Sequence, residues 1–131
     1  MTGHDIYKMA SAFLYERDGE DEESKEFSVS FLNTLLVECL PYENSIRRSE
    51  GTAELKSAPL LTSLDENIDF DDAITRIALP YGLAALYFAE NLDNQRGVMY
   101  RSQYLAALND AAKLTVDTVQ DVYAVDGECH A

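Results

Sequence analysis

The chain has 131 residues, with 24 Asp and Glu against 10 Lys and Arg, for a formal charge of −14. That length makes one domain able to bury a core without a disulfide or metal staple, and the sign of the charge excludes proteins that hold DNA or anionic membranes by neutralising phosphate. A hydrophobic content of 47 % excludes a wholly disordered acidic chain, and no apolar run approaches the ~20 residues needed to cross a bilayer.

The opening MTGHDIYKMA has no basic segment followed by an apolar stretch, so no secretory leader is expected. Cys39 and Cys129 lack CxxC spacing and read as reduced thiols of a cytoplasmic protein.

Residues 4–17 predict a first helix. Ile6, Met9, Ala10 and Phe13 recur at three- and four-residue steps, Tyr7 and Leu14 widen the stripe, and Arg17-Asp18-Gly19 forms a stop. The acidic run Glu20, Asp21, Glu22 and Glu23 then opens a second helix, where negative charge complements the macrodipole. This helix is expected to reach about Leu40, with Asn33 and Glu38 as polar breaks in a broad apolar stripe. Pro41 should end or kink it, and Tyr42 to Ile46 continue as an extension with Arg47 and Arg48 in the last turn.

Residues from about 49 to 71 change character. Gly51 and Pro59 break helical pattern, and the stretch reads as a loop pinned to the core through Leu60, Leu61 and Leu64, with Ile68 and Phe70 in a short extended arm. A loop this long in a compact domain is often functional. Asp69 or Asp71 caps a third helix over about 72–91, apolar on all sides from Ile74 to Ala89 and therefore central. Pro80 should bend it. The short link Leu92-Asp93-Asn94 implies an antiparallel hairpin with a fourth helix ending near Leu114. Beyond it, the valines from Val116 to Val125 recur every third residue, which predicts a flexible acidic C-terminal arm over 115–131 that orders on a partner. The expected fold is all-α: one helical domain over 1–114, about four main helices, a long irregular loop and a flexible arm.

The chemistry-bearing residues form no catalytic pattern. His4 and His130 lie at the ends, and no HExxH or ExxH is present. Cys129-His130 could touch a metal, but a frayed terminus is the plainer reading. Cys39 lies on an apolar stripe and reads as core. No GK[ST] phosphate loop and no GxSxG occur. The carboxylates at 20–23 and 65–72 lack calcium-loop spacing and read as solvated surface, with Glu20, Asp21, Glu22, Glu23, Asp65, Glu66 and Asp69 as its main members. The eight tyrosines read as core and interface aromatics, and Arg47-Arg48 is too small a patch for nucleic acid. No cofactor, metal or catalytic residue is expected.

Four stretches carry a resemblance. They are Phe31-Leu32-Asn33-Thr34-Leu35-Leu36-Val37-Glu38 with Asn44 and Arg47-Arg48, then Pro59-Leu60-Leu61-Thr62-Ser63-Leu64-Asp65-Glu66, then Ala78-Leu79-Pro80-Tyr81-Gly82-Leu83-Ala84-Ala85, and last Tyr104-Leu105-Ala106-Ala107-Leu108. Together they resemble small acidic head-assembly proteins of tailed phages and prophages, above all the head–tail connector, or adaptor, that docks beneath the portal. The resemblance covers about residues 4–114. It implies a helical body with a long loop and a flexible tail, assembled as a ring. It implies a virion-assembly role without enzymatic activity, portal and tail or neck proteins as partners, and DNA passing nearby without specific binding. It implies residence in the bacterial cytoplasm during assembly and then in the virion neck.

Under that reading the partner-binding residues are Leu60, Leu61, Leu64, Ile68 and Phe70 in the loop and Val116, Val119, Val122 and Tyr123 in the arm. Another class remains open: an acidic cytoplasmic regulator or DNA mimic that occupies a protein partner's DNA-binding site. An enzyme with a metal–carboxylate site would require Asp69, Asp71, Asp72 or Glu38 to converge.

Overall fold

The first helix starts where the sequence satisfies its own leading amides. Thr2 Oγ1 accepts from the Asp5 N–H at 3.2 Å, and Asp5 Oδ2 accepts from the Thr2 N–H at 3.1 Å. This reciprocal box opens α1, Gly3–Phe13. The computed structural model describes residues 1–14 and 22–127, with side-chain detail for 1–14 and 23–112. α1 turns Ile6, Tyr7 and Ala10 into the core and ends four residues before the expected limit at residue 17. The expected stop at Arg17-Asp18-Gly19 lies outside the described residues.

The second helix, α2, spans Glu22–Ser49 and continues through Pro41. The expected end near Leu40 is thus corrected. Pro41 and Val37 both lie on the exposed side, so the carbonyl that Pro41 leaves without a donor faces water. The true end is a left-handed cap. The Thr52 N–H bonds Arg47 O at 2.8 Å, the Gly51 N–H bonds Arg48 O at 3.3 Å, and Gly51 has φ 74°. Arg47 and Arg48 sit in the last turn, where the macrodipole favours them.

Residues 52–71 form an irregular strap. Its one β feature among the described residues is a bridge between Thr2 and Asn67. The third helix is expected as one bent element, and it has two parts. A π-helical segment, Ala73–Ala78, leads into α3, Leu79–Glu90. Asp71 starts it: its Oδ1 accepts from the Ala73 N–H at 2.9 Å and its carbonyl from the Ile74 and Thr75 N–H groups at 2.9 and 3.0 Å. The Leu79 N–H then reaches five residues back to Ile74 O. The wider turn lies just ahead of Pro80, so the residue without an N–H falls at the start of α3, where a donor is not needed.

α3 is buried on several sides, through Leu79, Leu83, Ala84, Ala85 and Phe88, and packs on α1, on α2 and most extensively on the fourth helix. The link is another left-handed cap. The Asp93 N–H bonds Phe88 O at 2.9 Å and Leu92 adopts φ 61°. Asp93 Oδ1 then accepts from the Arg96 N–H at 3.2 Å and opens α4, Asn94–Gly127. The hairpin of α3 and α4 follows the sequence expectation. α4 extends past Leu114, so the backbone of the expected C-terminal arm is helical as far as Gly127.

Gly82 sets how closely α3 approaches the other helices. A Cβ there would lie 2.8 Å from the Tyr104 ring and 3.0 Å from Leu35. Tyr104 is fully buried, so it cannot swing aside. The Gly82→Ala substitution is expected to destabilise the fold by about 1–3 kcal/mol in urea unfolding. Leu92→Gly should do the opposite. Leu92 is 85 % exposed, so its side chain contributes little, and glycine relieves the left-handed strain for a gain of about 0.5–1 kcal/mol.

Candidate functional site

The polar residues that interrupt the apolar pattern of α2 are those that hold the strap. Asn33 and Asn44 are eleven residues apart, close to three full turns, and so share one side of the helix. Each treats the strap as a β-strand would. Asn44 Nδ2 donates to Leu55 O at 2.9 Å while its Oδ1 accepts from the Leu55 N–H at 2.7 Å. Asn33 makes the same pair with Leu61, at 2.9 and 2.7 Å. Eleven residues of helix rise ~16 Å, and six residues of chain span at most ~20 Å, so the strap from Leu55 to Leu61 is drawn nearly taut. It runs antiparallel to α2.

Glu43 and Arg47 close the strap at both ends. The Glu43 side chain is buried, with Oε2 2.6 Å from Arg47 Nε and Oε1 accepting from the Asp71 N–H at 2.7 Å. Arg47 uses its remaining nitrogens on the strap backbone, donating to Asp69 O at 2.7 Å and to Ala53 O at 3.4 Å. A single guanidinium therefore joins the two ends of the 53–69 segment.

A second polar cluster joins α2 to α4. Arg101 makes a forked pair with Glu38 at 3.0 and 2.6 Å and lies over the Tyr104 ring at 5.2 Å. The Tyr104 hydroxyl is 3.2 Å from Glu38 Oε1 and 3.4 Å from Cys39 Sγ. The Arg101 hydrogen bonds hold the Glu38 carboxyl below its ordinary value. Burial pushes the Cys39 thiol up to about 12 and raises the Tyr104 phenol as well. At neutral pH Cys39 is a protonated core thiol, as its place on the apolar stripe predicts.

The loop residues expected to meet a partner divide sharply. Leu61, Leu64, Ile68 and Phe70 are buried and hold the strap to the body, whereas Leu60 is 75 % exposed. Of the loop residues expected to dock, Leu60 alone is exposed. The expectation that the whole leucine set pins the loop is corrected at the same residue, because Pro59-Leu60 turns outward between the two asparagine grips. Val116, Val119, Val122 and Tyr123 lie on α4, and their side chains are outside those described. Of the acidic residues, Glu23, Asp65 and Asp69 are exposed and Glu66 is half-buried, accepting from Thr62. Glu22 begins α2, and Glu20 and Asp21 lie outside the described residues.

Two features were not found in the sequence. One is a stack of rings: Phe13 lies 4.9 Å from Tyr81 and 5.7 Å from Tyr100, and Phe88 lies 5.4 Å from Tyr100. The other is a groove of about 400 Å³ between α3 and α4, lined by Ala85, Ala89, Gly97, Val98, Arg101 and Ser102. Val98 is 65 % exposed beside it, and Leu105 is exposed further along α4. Val98 and Leu105 are seven residues apart, a spacing that would have singled them out.

Comparison with protein-family models, with curated proteins and with solved structures gave no match. Among the described residues, no helix is long and apolar enough to cross a membrane. No three His, Cys, Asp or Glu side chains among them converge as a metal would require. Glu38 faces Arg101 and Asp71 caps the π-helical segment, so neither meets the other carboxylates.

The Arg47→Lys variant tests the closure. Lysine keeps the charge beside Glu43 but not the planar fork that reaches Ala53 and Asp69. The expected cost is about 1–3 kcal/mol. Hydrogen exchange and proteolysis should accelerate within 53–70 while α3 retains its protection.

Proposed function

We propose that this chain is a non-enzymatic structural protein of tailed phages or prophages: a head–tail connector that docks beneath the portal as a ring and joins head to tail. The observation that carries this reading is the location of the resembling residues. Asn33, Asn44 and Arg47 grip the strap, and Pro59 to Glu66 form its central part. Gly82 and Tyr104 bring α3 and α4 together, since a Cβ at Gly82 would lie 2.8 Å from the Tyr104 ring. The resemblance thus falls on the parts that make a rigid body with a fixed strap, and a neck component needs such a body.

Two further observations support the reading. Glu38, Glu43, Arg47 and Arg101 are engaged with one another or with backbone, as in a structural protein. Exposed acids such as Asp65 and Asp72 would repel the phosphates of DNA in transit. In this reading the partners are the portal and the tail or neck proteins. Assembly takes place in the bacterial cytoplasm and the product resides in the virion neck. No cofactor takes part. Leu60 on the strap and residues 116–123 of α4 are the regions offered to partners.

Co-expression with the portal protein of the same genome tests the proposal. The expected result is a co-purifying ring complex, weakened when Leu60→Asp places a charge on the strap. A portal that assembles without retaining the chain overturns it. So does selective capture of a DNA-binding protein that DNA displaces, the result expected of a DNA mimic.

A further inference from the structure

Three helix ends meet at one cleft. α1 ends there through Ser11 and Leu14, α3 ends there through Glu90 and Asn91, and α2 begins there with Glu23 in the wall. The cleft holds about 260 Å³. An apolar cavity of ~150 Å³ accepts benzene, so this one has room for a ring and a short chain. Phe27 and Phe31 of α2 line one wall, their rings stacked at 6.4 Å, and Leu83 of α3 lines another. Phe27 is 49 % exposed. A ring left half in water at a concave surface is area that a ligand can bury. Ser11 adds an observation independent of shape. The residue is 5 % exposed, yet its hydroxyl makes no hydrogen bond among the described residues. Among those residues no side-chain oxygen sealed from solvent lacks a partner, so this hydroxyl opens into the cleft that Ser11 lines.

The electrostatics choose the sign of the ligand. α1 and α3 each bring a negative dipole end to the cleft, and neither has a basic residue in its last turn. The positive end of α2 is the opposing contribution, and Glu22 and Glu23 at its start offset it. Glu90 is exposed at the rim, and its carboxylate enters no ion pair or hydrogen bond among the described residues. It is therefore uncommitted, unlike the carboxylates of Glu38 and Glu43, which hold arginines. Asn91 donates from Nδ2 to Tyr87 O at 2.8 Å and keeps Oδ1 as an acceptor. Glu90, Asn91 and Ser11 thus offer three acceptors beside aromatic walls. An ammonium group has three donors and is attracted to ring faces. An anion would meet a carboxylate and two negative helix ends.

We propose that this cleft binds a small amphipathic amine. The apolar body lies against Phe27, Phe31 and Leu83, and the ammonium is held by Glu90, Asn91 and Ser11. Glu90 selects for positive charge, and Phe27 selects for an apolar body. The site belongs to the helical body of the chain and does not rest on the connector reading.

Phenethylamine added to the full chain tests the site. Calorimetry should show saturable binding of one amine per chain, and amide NMR shifts should centre on Ser11, Phe31 and Leu83. Neutral phenethyl alcohol should bind about tenfold more weakly, and anionic hydrocinnamate should not bind. Glu90→Gln alters an exposed residue, and circular dichroism should show the fold retained. It should weaken the amine about tenfold and leave the alcohol unchanged. Phe27→Ala should weaken the amine and the alcohol alike. No saturation by the amine in the millimolar range overturns the proposal. So does amine binding that Glu90→Gln leaves unchanged, an alcohol that binds as tightly as the amine, or shifts confined to another face.

Discussion

A buried carboxylate at Glu43 is the constraint on which the strap, the π-helical segment and the end of α2 depend. Removing an acid from water is unfavourable unless its oxygens are taken up, and here both are. One goes to Arg47 and the other to the Asp71 amide. Arg47 is then fixed with its free nitrogens at Ala53 and Asp69, and Asp71 is fixed where its side chain and carbonyl can start the next helix. Loop closure costs entropy, and the interaction that closes this loop also positions the element after it. The two asparagine grips act between those ends and draw the segment along α2.

The central helix depends on a different kind of constraint, that of volume. α3 is apolar on nearly every side, so its position is set by which neighbours can come close. Gly82 admits the Tyr104 ring, and Tyr104 in turn reaches Cys39 and Glu38. Packing between α3 and α4 and polar contact between α2 and α4 thus meet in one side chain. The π-helical segment ahead of Pro80 lets the chain enter this helix from Asp71, which Glu43 already holds.

Much of this architecture was legible because apolar periodicity and short links depend on neighbouring residues. The hairpin of α3 and α4, the central place of Ile74 to Ala89 and the pinning of the loop by Leu61 and Leu64 all follow from local pattern. The errors have a common origin. Pro41 was read as a break, but its exposed position lets water take up the orphan carbonyl. The Thr2 box was readable from Thr2 and Asp5, three residues apart. Asn33 was read as an interruption of an apolar stripe, although its partner is a backbone 28 residues away. Nothing in the local sequence announces a partner that distant. Leu60 and Leu61 are neighbours of the same type, and only the Asn33 grip at Leu61 decides which of them turns inward.

The same distinction sharpens the meaning of the acidic balance. A formal charge of −14 suggests a surface that is repulsive throughout. The structure separates acids that build from acids that face solvent. Glu43 and Glu38 are neutralised by arginines within the body, and Asp5, Asp71 and Asp93 cap helices. Asp65 faces solvent on the strap, and Asp69 is exposed there while its carboxylate lies 3.6 Å from Arg47. The arginines that neutralise stand on two helices: Arg47 on α2, paired with Glu43, and Arg96 and Arg101 on α4, paired with Asp93 and Glu38. A paired carboxylate and an exposed one therefore count alike in the formal charge but not in the field that a partner meets.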